Sequence, residues 1–361
     1  MSAIHFDAVT KTYPNGKSVI ENLQLEIRDR SFTVLVGPSG CGKTTALRLV
    51  AGLEEVTAGQ IRIGDRNVTK AEPGDRGIAM VFQNYAIYPH MTVRQNIEFG
   101  LKNQKLPKDE IKRRVEHVVK LVGLQEYMNA KPSMLSGGQR QRVALSRAIS
   151  KNPQVFLMDE PLSNLDAKLR NQMRSELIQL HRNLQSTFVF VTHDQVEAMT
   201  MGTDIVIFKD GQVMQKGTPK QVYGDPDNVF VATFIGDPGM NIMPLPDKCR
   251  LGFRPQRVRM TRPERFQGIA LPGTIVTRET LGLENLYHVS TSLGTIAARS
   301  EEESDFGDRV NVHVAAEDLY YFDASELRIR DTRHTQRLLD SIASMEGVYV
   351  ANEHPVYAAA Y

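Results

Sequence analysis

The most constraining feature of this sequence is a glycine-rich loop between an apolar strand and a helix. In SFTVLVGPSGCGKTTALRLVAGL, residues 33–36 form the apolar run, 37–44 fit the pattern G-x-x-x-x-G-K-[ST], and a helix is predicted from about Gly42. The apolar positions of that helix are Leu47, Val50 and Leu53. Two more continuous apolar runs, 155–158 and 187–192, are typical of buried parallel strands. The sequence therefore predicts an α/β domain built around a parallel sheet.

Length and composition indicate two soluble domains. A chain of 361 residues is long for one compact domain. No apolar run reaches the roughly 18 to 20 residues that span a bilayer. The first residues carry no secretion signal, and the two cysteines lie far apart, which suits a reducing compartment. The net charge of +2 argues against a protein built mainly around nucleic-acid backbones. We expect a cytoplasmic protein.

The loop is predicted to bind the phosphates of a nucleotide. Glycines let backbone N–H groups turn towards the phosphates, Lys43 reaches the β and γ phosphates, and Thr44 offers a hydroxyl to Mg²⁺. The alternative is a tight strand-to-helix turn with a surface lysine, which eight spaced positions and both flanking elements disfavour. The predicted binding residues are Gly37, Pro38, Ser39, Gly40, Cys41, Gly42, Lys43, Thr44 and Thr45.

Cys41 has two interpretations. A helix N-terminus and a lysine are typical neighbours of reactive thiols, so we predict that alkylation inactivates the protein and that ATP protects it. Alternatively, Cys41 is a small residue that fits the loop.

Two carboxylates follow the apolar run 155–158. Because ligands of open α/β sheets lie at the carboxyl ends of the strands, Asp159 is predicted to hold Mg²⁺ and Glu160 to polarise a water for attack on the γ phosphate. The alternative is a strand that ends in two solvated acids.

Three further side chains remain ambiguous from the residues alone. His193 follows the run 187–192 and either donates to the γ phosphate or lies beside a helix start. Gln83 either positions water and Mg²⁺ or simply ends a strand. Tyr13 either stacks on adenine or packs in a turn.

A second anion site is predicted at LSGGQ. Ser136 and Gln139 form a capping box, and Gly137 and Gly138 allow close backbone approach to the helix N-terminus. Because the phosphate loop already covers one side of a nucleotide, this end makes most sense facing the γ phosphate bound to another subunit.

The sequence pattern changes after about residue 235, where a second domain is predicted to begin. A hairpin is expected at Asp210-Gly211, whereas the alternating segment 309–314 and frequent Pro and Gly residues indicate a small all-β, barrel-like domain over 236 to about 330. QRLLDSIASM is predicted to form a short helix within the tail 331–361, to which the sequence assigns no role. The predicted domains are 1–235 and 236–361. The first has a helical part at about 90–150, which includes a helical stretch predicted at about 107–150.

The segments GPSGCGKTT, LSGGQRQR, VFLMDEP, LSNLD and VTHD, in this order, resemble the ATP-binding cassette (ABC) family of transporter ATPases. The resemblance implies a P-loop NTPase domain with a helical subdomain, ATP and Mg²⁺ as cofactors, and a head-to-tail dimer that sandwiches two ATP molecules. It assigns adenine stacking to Tyr13, a link between Mg²⁺ and the membrane interface to Gln83, the loop between the two sites to Asp166, the γ-phosphate switch to His193 and the general base to Glu160.

The segment FQNYAIYPHMTVRQNIEFGLK is either a docking cleft for a partner helix or buried packing. With LSNLDAKLR, it resembles cassettes that energise bacterial carbohydrate uptake. That resemblance implies two multi-span membrane permease subunits, an indirect extracytoplasmic solute-binding protein, and a position on the cytoplasmic face of the inner membrane. It also implies a C-terminal all-β regulatory domain with an OB-like barrel of the TOBE/MOP type.

Two alternatives to the function in carbohydrate uptake remain open. One is a soluble ATPase that acts on nucleic acid or ribosomes, which calls for a basic groove with aromatic side chains. The second domain carries the basic GFRPQRVRMTRPERF but also the acidic RSEEESDFGDR, so no nucleic-acid partner is expected. The other is an importer cassette for a polyamine or an inorganic ion.

Overall fold

The computed structural model describes residues 2–261, 266–300, 306–343, 345 and 347–351. The chain forms two compact units, Met1–Pro219 and Lys220–Tyr361. The elements of the first unit are β1 (Ile4–Thr12), β2 (Ser18–Ile27), β3 (Phe32–Val36), α1 (Lys43–Ala51), β4 (Ala58–Ile63), β5 (Arg66–Asn67), β6 (Ile78–Val81), α2 (Val93–Asn103), α3 (Lys108–Leu121), α4 (Gly137–Ser150), β7 (Val155–Asp159), α5 (Ala167–Leu184), β8 (Thr187–Thr192), α6 (Gln195–Met201), β9 (Asp204–Lys209) and β10 (Gln212–Gly217).

A six-stranded sheet in the order β10-β9-β3-β8-β7-β6 forms the centre of the first unit. All of its pairs are parallel except β9 with β10. The strands β3, β7 and β8 are buried along their whole length, which explains why their sequences are continuously apolar. The predicted strands are confirmed. Their shared direction brings the residues that follow β3, β7 and β8 to one edge of the sheet.

The β9–β10 hairpin is also confirmed, and its turn has the predicted backbone. Asp210 and Gly211 have φ angles of 49° and 77°, the positive values that a tight hairpin turn requires. A second sheet, in the order β2-β1-β4-β5, is antiparallel throughout. Its apolar face and α1 share one hydrophobic core with the central sheet.

Two details of the helix predictions were wrong. Leu53 does not belong to the apolar face of α1, because the helix ends at Ala51 and Leu53 is 47% exposed. The stretch from about 107 to 150 is two helices, α3 and α4, joined by short 3₁₀ turns at Gln125–Tyr127 and Pro132–Met134. Gly123, with a φ of 67°, follows the end of α3. The helices α2, α3 and α4 share their own apolar cluster, which makes this region a helical subdomain.

The elements of the second unit are α7 (Pro219–Gly224, at the junction), α8 (Val229–Phe234), β11 (Asn241–Pro244), β12 (Arg250–Phe253), β13 (Val258–Arg259), β14 (Gly268–Leu281), β15 (Glu284–Thr291), β16 (Gly294–Ser300), β17 (Arg309–Ala315), β18 (Tyr320–Phe322), β19 (Arg328–Ile329), α9 (Thr332–Ile342) and β20 (Tyr349–Ala351). They form two antiparallel sheets, β11-β12-β18-β19 and β13-β17-β14-β15-β16, with β20 paired to β14.

The alternation predicted for 309–314 is confirmed, since Val310, Val312 and Val314 point into the core of this unit. The predicted short helix is α9, and its Leu338, Leu339 and Ile342 join the same core. Within the described residues, none of the helices has the length and apolarity required to cross a membrane.

Candidate functional site

The phosphate loop lies between β3 and α1, and its glycines are required by close backbone contacts. A Cβ atom on Gly37 would lie 2.2 Å from the carbonyl oxygen of Phe208. Gly40 and Gly42 have φ angles of 78° and 105°, which side-chain-bearing residues rarely adopt. Gly42 is the N-cap of α1, so the loop ends at a helix N-terminus. Pro38, Ser39 and Gly40 are exposed, and the loop is therefore open to a ligand.

Lys43 is held against the backbone of this loop. Its Nζ donates to the carbonyl oxygens of Gly37 and Pro38, both at 2.8 Å, and the side chain is 5% exposed. The Sγ of Cys41 lies 3.6 Å from the same Nζ. Cys41 is itself buried in the core of the unit, which favours the interpretation that it fills space in the loop. Its reactivity stays a prediction.

Thr44 and Asp159 bring a hydroxyl and a carboxylate together at the start of α1 and the end of β7. The Oγ1 of Thr44 donates to Oδ1 of Asp159 at 2.9 Å. Burial raises the pKa of Asp159, and the hydrogen bond from Thr44 opposes that shift. A buried carboxylate beside a hydroxyl is a set of hard oxygen donors, which fits Mg²⁺.

Glu160 lies at the centre of a cluster of side chains from three strand ends. Its Oε2 is 3.3 Å from Nδ1 of His193 and 3.5 Å from Nε2 of Gln83. Gln83 and His193 are exposed. The backbone of Glu160 has a φ of 44°, and its N–H donates to Val191 O at 3.0 Å. The structure thus brings Gln83, Glu160 and His193 together, as their positions after parallel strands predict.

Four polar residues that the sequence interpretation missed support this cluster. The Oγ of Ser163 lies 3.3 Å from Nε2 of Gln83, and the side-chain amide of Asn164 donates to Gln83 O at 3.0 Å. Behind His193, the hydroxyl of Thr192 donates to Oε2 of Glu197 at 2.6 Å. Burial raises the pKa of Glu197, and the bond from Thr192 opposes this. A signal was available for three of them, since Ser163 and Asn164 lie inside LSNLD and Thr192 lies inside VTHD, whereas Glu197 lies three residues after VTHD.

The LSGGQ segment forms the predicted capping box at the start of α4. The N–H of Gln139 donates to Ser136 Oγ at 3.3 Å, and the N–H of Ser136 donates to Oε1 of Gln139 at 2.8 Å. A Cβ on Gly138 would meet Leu169 at 2.8 Å. Among the residues that the structure describes, no hydrogen bond or ion pair joins 136–139 to the phosphate loop of the same chain.

Tyr13 and Asp166 occupy the ends of other elements. Tyr13 lies in the turn between β1 and β2, half-buried, with the ammonium of Lys11 4.8 Å from its ring centroid. Asp166 is the N-cap of α5 and accepts from the N–H of Leu169 at 2.9 Å.

The segment after Gln83 combines buried and exposed apolar side chains. Tyr85 is buried, Pro89 is exposed, and Tyr88 packs on Phe99 with ring centroids 4.7 Å apart. The side chain of Asn96 is fully buried and fixes the loop, because it bonds both backbone atoms of Tyr88 and the carbonyl oxygens of Met91 and Thr92. Buried packing is therefore confirmed for part of this segment, and docking of a partner helix stays a prediction.

Two family models match the chain. The model described as ABC transporter matches residues 20–163, which include the phosphate loop and the two carboxylates at the end of β7, Asp159 and Glu160. The model described as TOBE domain matches residues 251–322.

Curated proteins match over nearly the whole length. The sn-glycerol-3-phosphate import ATP-binding protein UgpC of Brucella abortus (strain 2308) is 46% identical over 353 residues, which cover 92% of this chain and 100% of that protein. The oligosaccharides import ATP-binding protein MsmX of Bacillus subtilis (strain 168) is 45% identical and covers 91% of this chain and 100% of its own.

Part of this chain is similar to a solved structure of the ATP-binding cassette MJ0796. That structure is a dimer in a post-hydrolysis state, bound to ADP and Pi. It is 31% identical with a TM-score of 0.53, and the match covers 60% of this chain and 98% of that one.

Proposed function

The chain belongs to the ATP-binding cassette transporter family, and we propose that it energises an importer for a sugar, an oligosaccharide or a glycerol-phosphate solute. One observation carries the proposal. At 46% identity, a glycerol-3-phosphate import ATP-binding protein matches over its entire length and over 92% of this chain. The oligosaccharide import protein matches almost as well, so the proposal is a class of phosphorylated or carbohydrate solutes.

The residues of the site have distinct roles in hydrolysis of ATP. Lys43, already held beside the loop backbone, binds the β and γ phosphates together with backbone N–H groups of the loop, of which Pro38 has none. Glu160 takes a proton from the attacking water, and His193, 3.3 Å away, donates to the γ phosphate. Thr44, Gln83 and Asp159 would hold Mg²⁺, which neutralises charge on the phosphates.

Two copies of the chain, or this chain and a second cassette, complete each site. The exposed N-terminus of α4 at Ser136 makes no hydrogen bond to its own phosphate loop in the described structure and is free to bind the γ phosphate held by the other subunit. The comparison structure is a dimer bound to ADP and Pi. Tyr13 stacks on the adenine, and Asp166 lies in the loop between the two sites.

The segment 85–91 contacts the membrane partners. Its exposed Pro89 and half-buried Tyr88 follow Gln83 directly, so a partner that contacts them lies next to the catalytic cluster. We assign it two multi-span permease subunits, with the chain on the cytoplasmic face of the membrane and a solute-binding protein engaged indirectly. The residues from 236 onward form the regulatory domain.

Purification from native membranes in mild detergent tests the proposal. Two multi-span membrane proteins that co-purify with the chain, and whose solute stimulates hydrolysis of ATP, are the expected result. Recovery of ribosomal or nucleic-acid material without membrane proteins would contradict the importer and favour a soluble ATPase. Stimulation by a polyamine or an inorganic ion instead of a carbohydrate would contradict the solute class alone.

A further inference from the structure

Arg170 connects two segments of the catalytic site that are distant in sequence. It lies in the first turn of α5, which Asp166 caps. Its Nη2 donates to the carbonyl oxygen of Leu165 at 3.0 Å, and its Nη1 lies 3.9 Å from Oδ2 of Asp194. Both charged side chains are about 70% buried, with 31% and 28% exposed. One guanidinium thus bridges the segment before α5 and the segment before α6.

Asp194 determines where His193 lies, because it is the next residue and is fixed on three sides. Its Oδ1 accepts from the N–H groups of Val196 and Glu197, at 2.7 and 3.1 Å, and so caps α6. Its own N–H donates to the hydroxyl of Thr192 at 3.0 Å. A force on Oδ2 of Asp194 therefore acts on the backbone that carries the imidazole.

A small cavity lies behind the catalytic pair. It measures about 40 Å³, and its walls include Glu160, His193, Arg170 and Glu197. Glu197 is 4% exposed, and its carboxylate accepts from the hydroxyl of Thr192. A buried carboxylate is costly without a compensating positive charge, and the guanidinium of Arg170 supplies one in the same cavity. Arg170 therefore also stabilises the buried carboxylate of Glu197, which lines the same cavity as His193.

We propose that Arg170 is a positioning residue that couples the loop 163–166 to His193. The proposal rests on the proposed function, in which Asp166 lies between the two ATP sites of a dimer. When the second subunit moves that loop, Leu165 O moves with it, and Arg170 transmits the displacement to Asp194 and so to the imidazole. Hydrolysis at one site then depends on the arrival of the neighbouring subunit.

A double-mutant cycle on the full chain tests the coupling. Arg170→Met removes the bridge, whereas Asp194→Asn removes the charge but keeps an oxygen to cap α6. For each single variant we expect kcat for hydrolysis of ATP to fall about tenfold, with KM for ATP changed less than twofold, because the phosphate loop is untouched. The double variant should lose no more than either single one. Arg170→Lys should recover part of the rate.

Arg182→Met is the matched control. Arg182 is exposed in the last turn of α5, far along the helix from Arg170, so kcat of this variant should match that of the wild type. A double variant whose loss equals the product of the two single losses would overturn the coupling, as would a parallel loss of kcat and melting temperature in Asp194→Asn. If the wild type hydrolyses ATP and Arg170→Met does so equally fast, the Arg170 proposal alone fails. If the wild type binds ATP without hydrolysing it, the proposed function fails as well.

Discussion

Glu160 combines a strained backbone with a central position in the site. A φ of 44° is rare for a residue with a side chain and costs of order 1 to 3 kcal/mol, and it is found mostly where function requires the geometry. In Glu160 it turns the carboxylate towards Gln83 and His193 directly after the buried Asp159.

Replacing Glu160 by Gln should abolish turnover and leave binding of ATP intact. The amide keeps the size of the side chain but cannot accept the proton of the attacking water, so we expect hydrolysis to fall about 100-fold or more. Because ATP then persists in the site, an ATP-bound dimer should accumulate, measurable by size-exclusion chromatography. The exposed Glu126→Gln is the control. Hydrolysis at the normal rate would show that Glu160 is not the base.

Glu197 should make stability depend on pH. Burial raises its pKa above 4.5, so the folded chain binds the proton more tightly than the unfolded chain. Its contribution to stability is therefore full below about pH 4.5 and is lost as pH rises through the raised pKa. Glu197→Gln stays neutral and still accepts from Thr192. The melting temperature of this variant, relative to the wild type, should rise as the pH increases above about 4.5 and should level off once the pH exceeds the raised pKa of Glu197.

The exposed Glu116→Gln provides the baseline for this comparison. A difference between Glu197→Gln and wild type that is constant over the whole pH range would contradict the assignment.

The sequence identified the phosphate loop and Glu160, because each depends on a short pattern next to a strand. It did not identify the residues that hold them in place. Asn164 donates to the carbonyl of Gln83 from 81 positions away, and Arg170 reaches Asp194 across α5 and β8. Such contacts depend on strand order, which a single sequence does not specify. The individual roles of the site residues stay predictions.

At the scale of elements, the turn between β9 and β10 contacts the backbone of the phosphate loop and holds it in place. The N–H of Gly211 donates to the carbonyl of Cys41 at 2.9 Å. A Cβ on Gly211 would lie 2.2 Å from Val19 O, a backbone atom that cannot rotate away. The turn is therefore a structural part of the nucleotide site.

Gly211→Ala should destabilise the first unit far more than Gly16→Ala. The two glycines have nearly equal φ angles, 77° and 80°, but nothing lies within 4 Å of a Cβ on Gly16. We expect about 1 kcal/mol lost for Gly16→Ala from backbone strain alone, and about 3 kcal/mol or more for Gly211→Ala. Urea unfolding measures both. Equal losses would show that the contact with Val19 is relieved without cost.

Elements were predicted well where a periodic pattern was long or a turn was chemically specific. The three buried strands and the Asp-Gly hairpin are examples. In the stretch 107–150, the start of α4 was predicted from the capping box at Ser136, whereas the end of α3 was missed because apolar residues continue beyond Leu121 at helical spacing. Tyr127 packs on the helical cluster from a 3₁₀ turn and Ala130 from the loop between the two turns, so burial alone does not distinguish them from helical residues.

At the scale of the molecule, each unit has its own hydrophobic core. The core of the first combines β1–β4, α1 and the central sheet, whereas the second has a core of β-strand residues and α9. The tail 331–361 was uncertain from sequence, because α9 is short and polar on one side. Residues 352–361 lie outside the described part of the chain. The boundary at 235/236 stays a prediction.

Binding of ATP and a mutation in the core of the second unit should therefore change the thermal stability of different units. ATP binds the first unit, so it should raise the melting temperature of that unit alone. Ile342→Ala, at a fully buried position of α9, should destabilise the second unit by about 3 kcal/mol and leave the ATP-dependent transition unchanged. Differential scanning calorimetry resolves the two effects, with the exposed Arg337→Ala as control. A single transition shifted by both changes would contradict independent units.

The placement of the two cysteines provides a reporter that needs no engineering. Cys41 is 5% exposed in the first unit and Cys249 is 8% exposed in the second, and the chain has no others. A buried thiol reacts with an aromatic disulfide reagent only when the surrounding structure opens. The reaction rate of each cysteine therefore reports local opening of the unit in which it lies. Thiol reaction followed over time in the unmodified protein can thus report local opening of both units in one experiment.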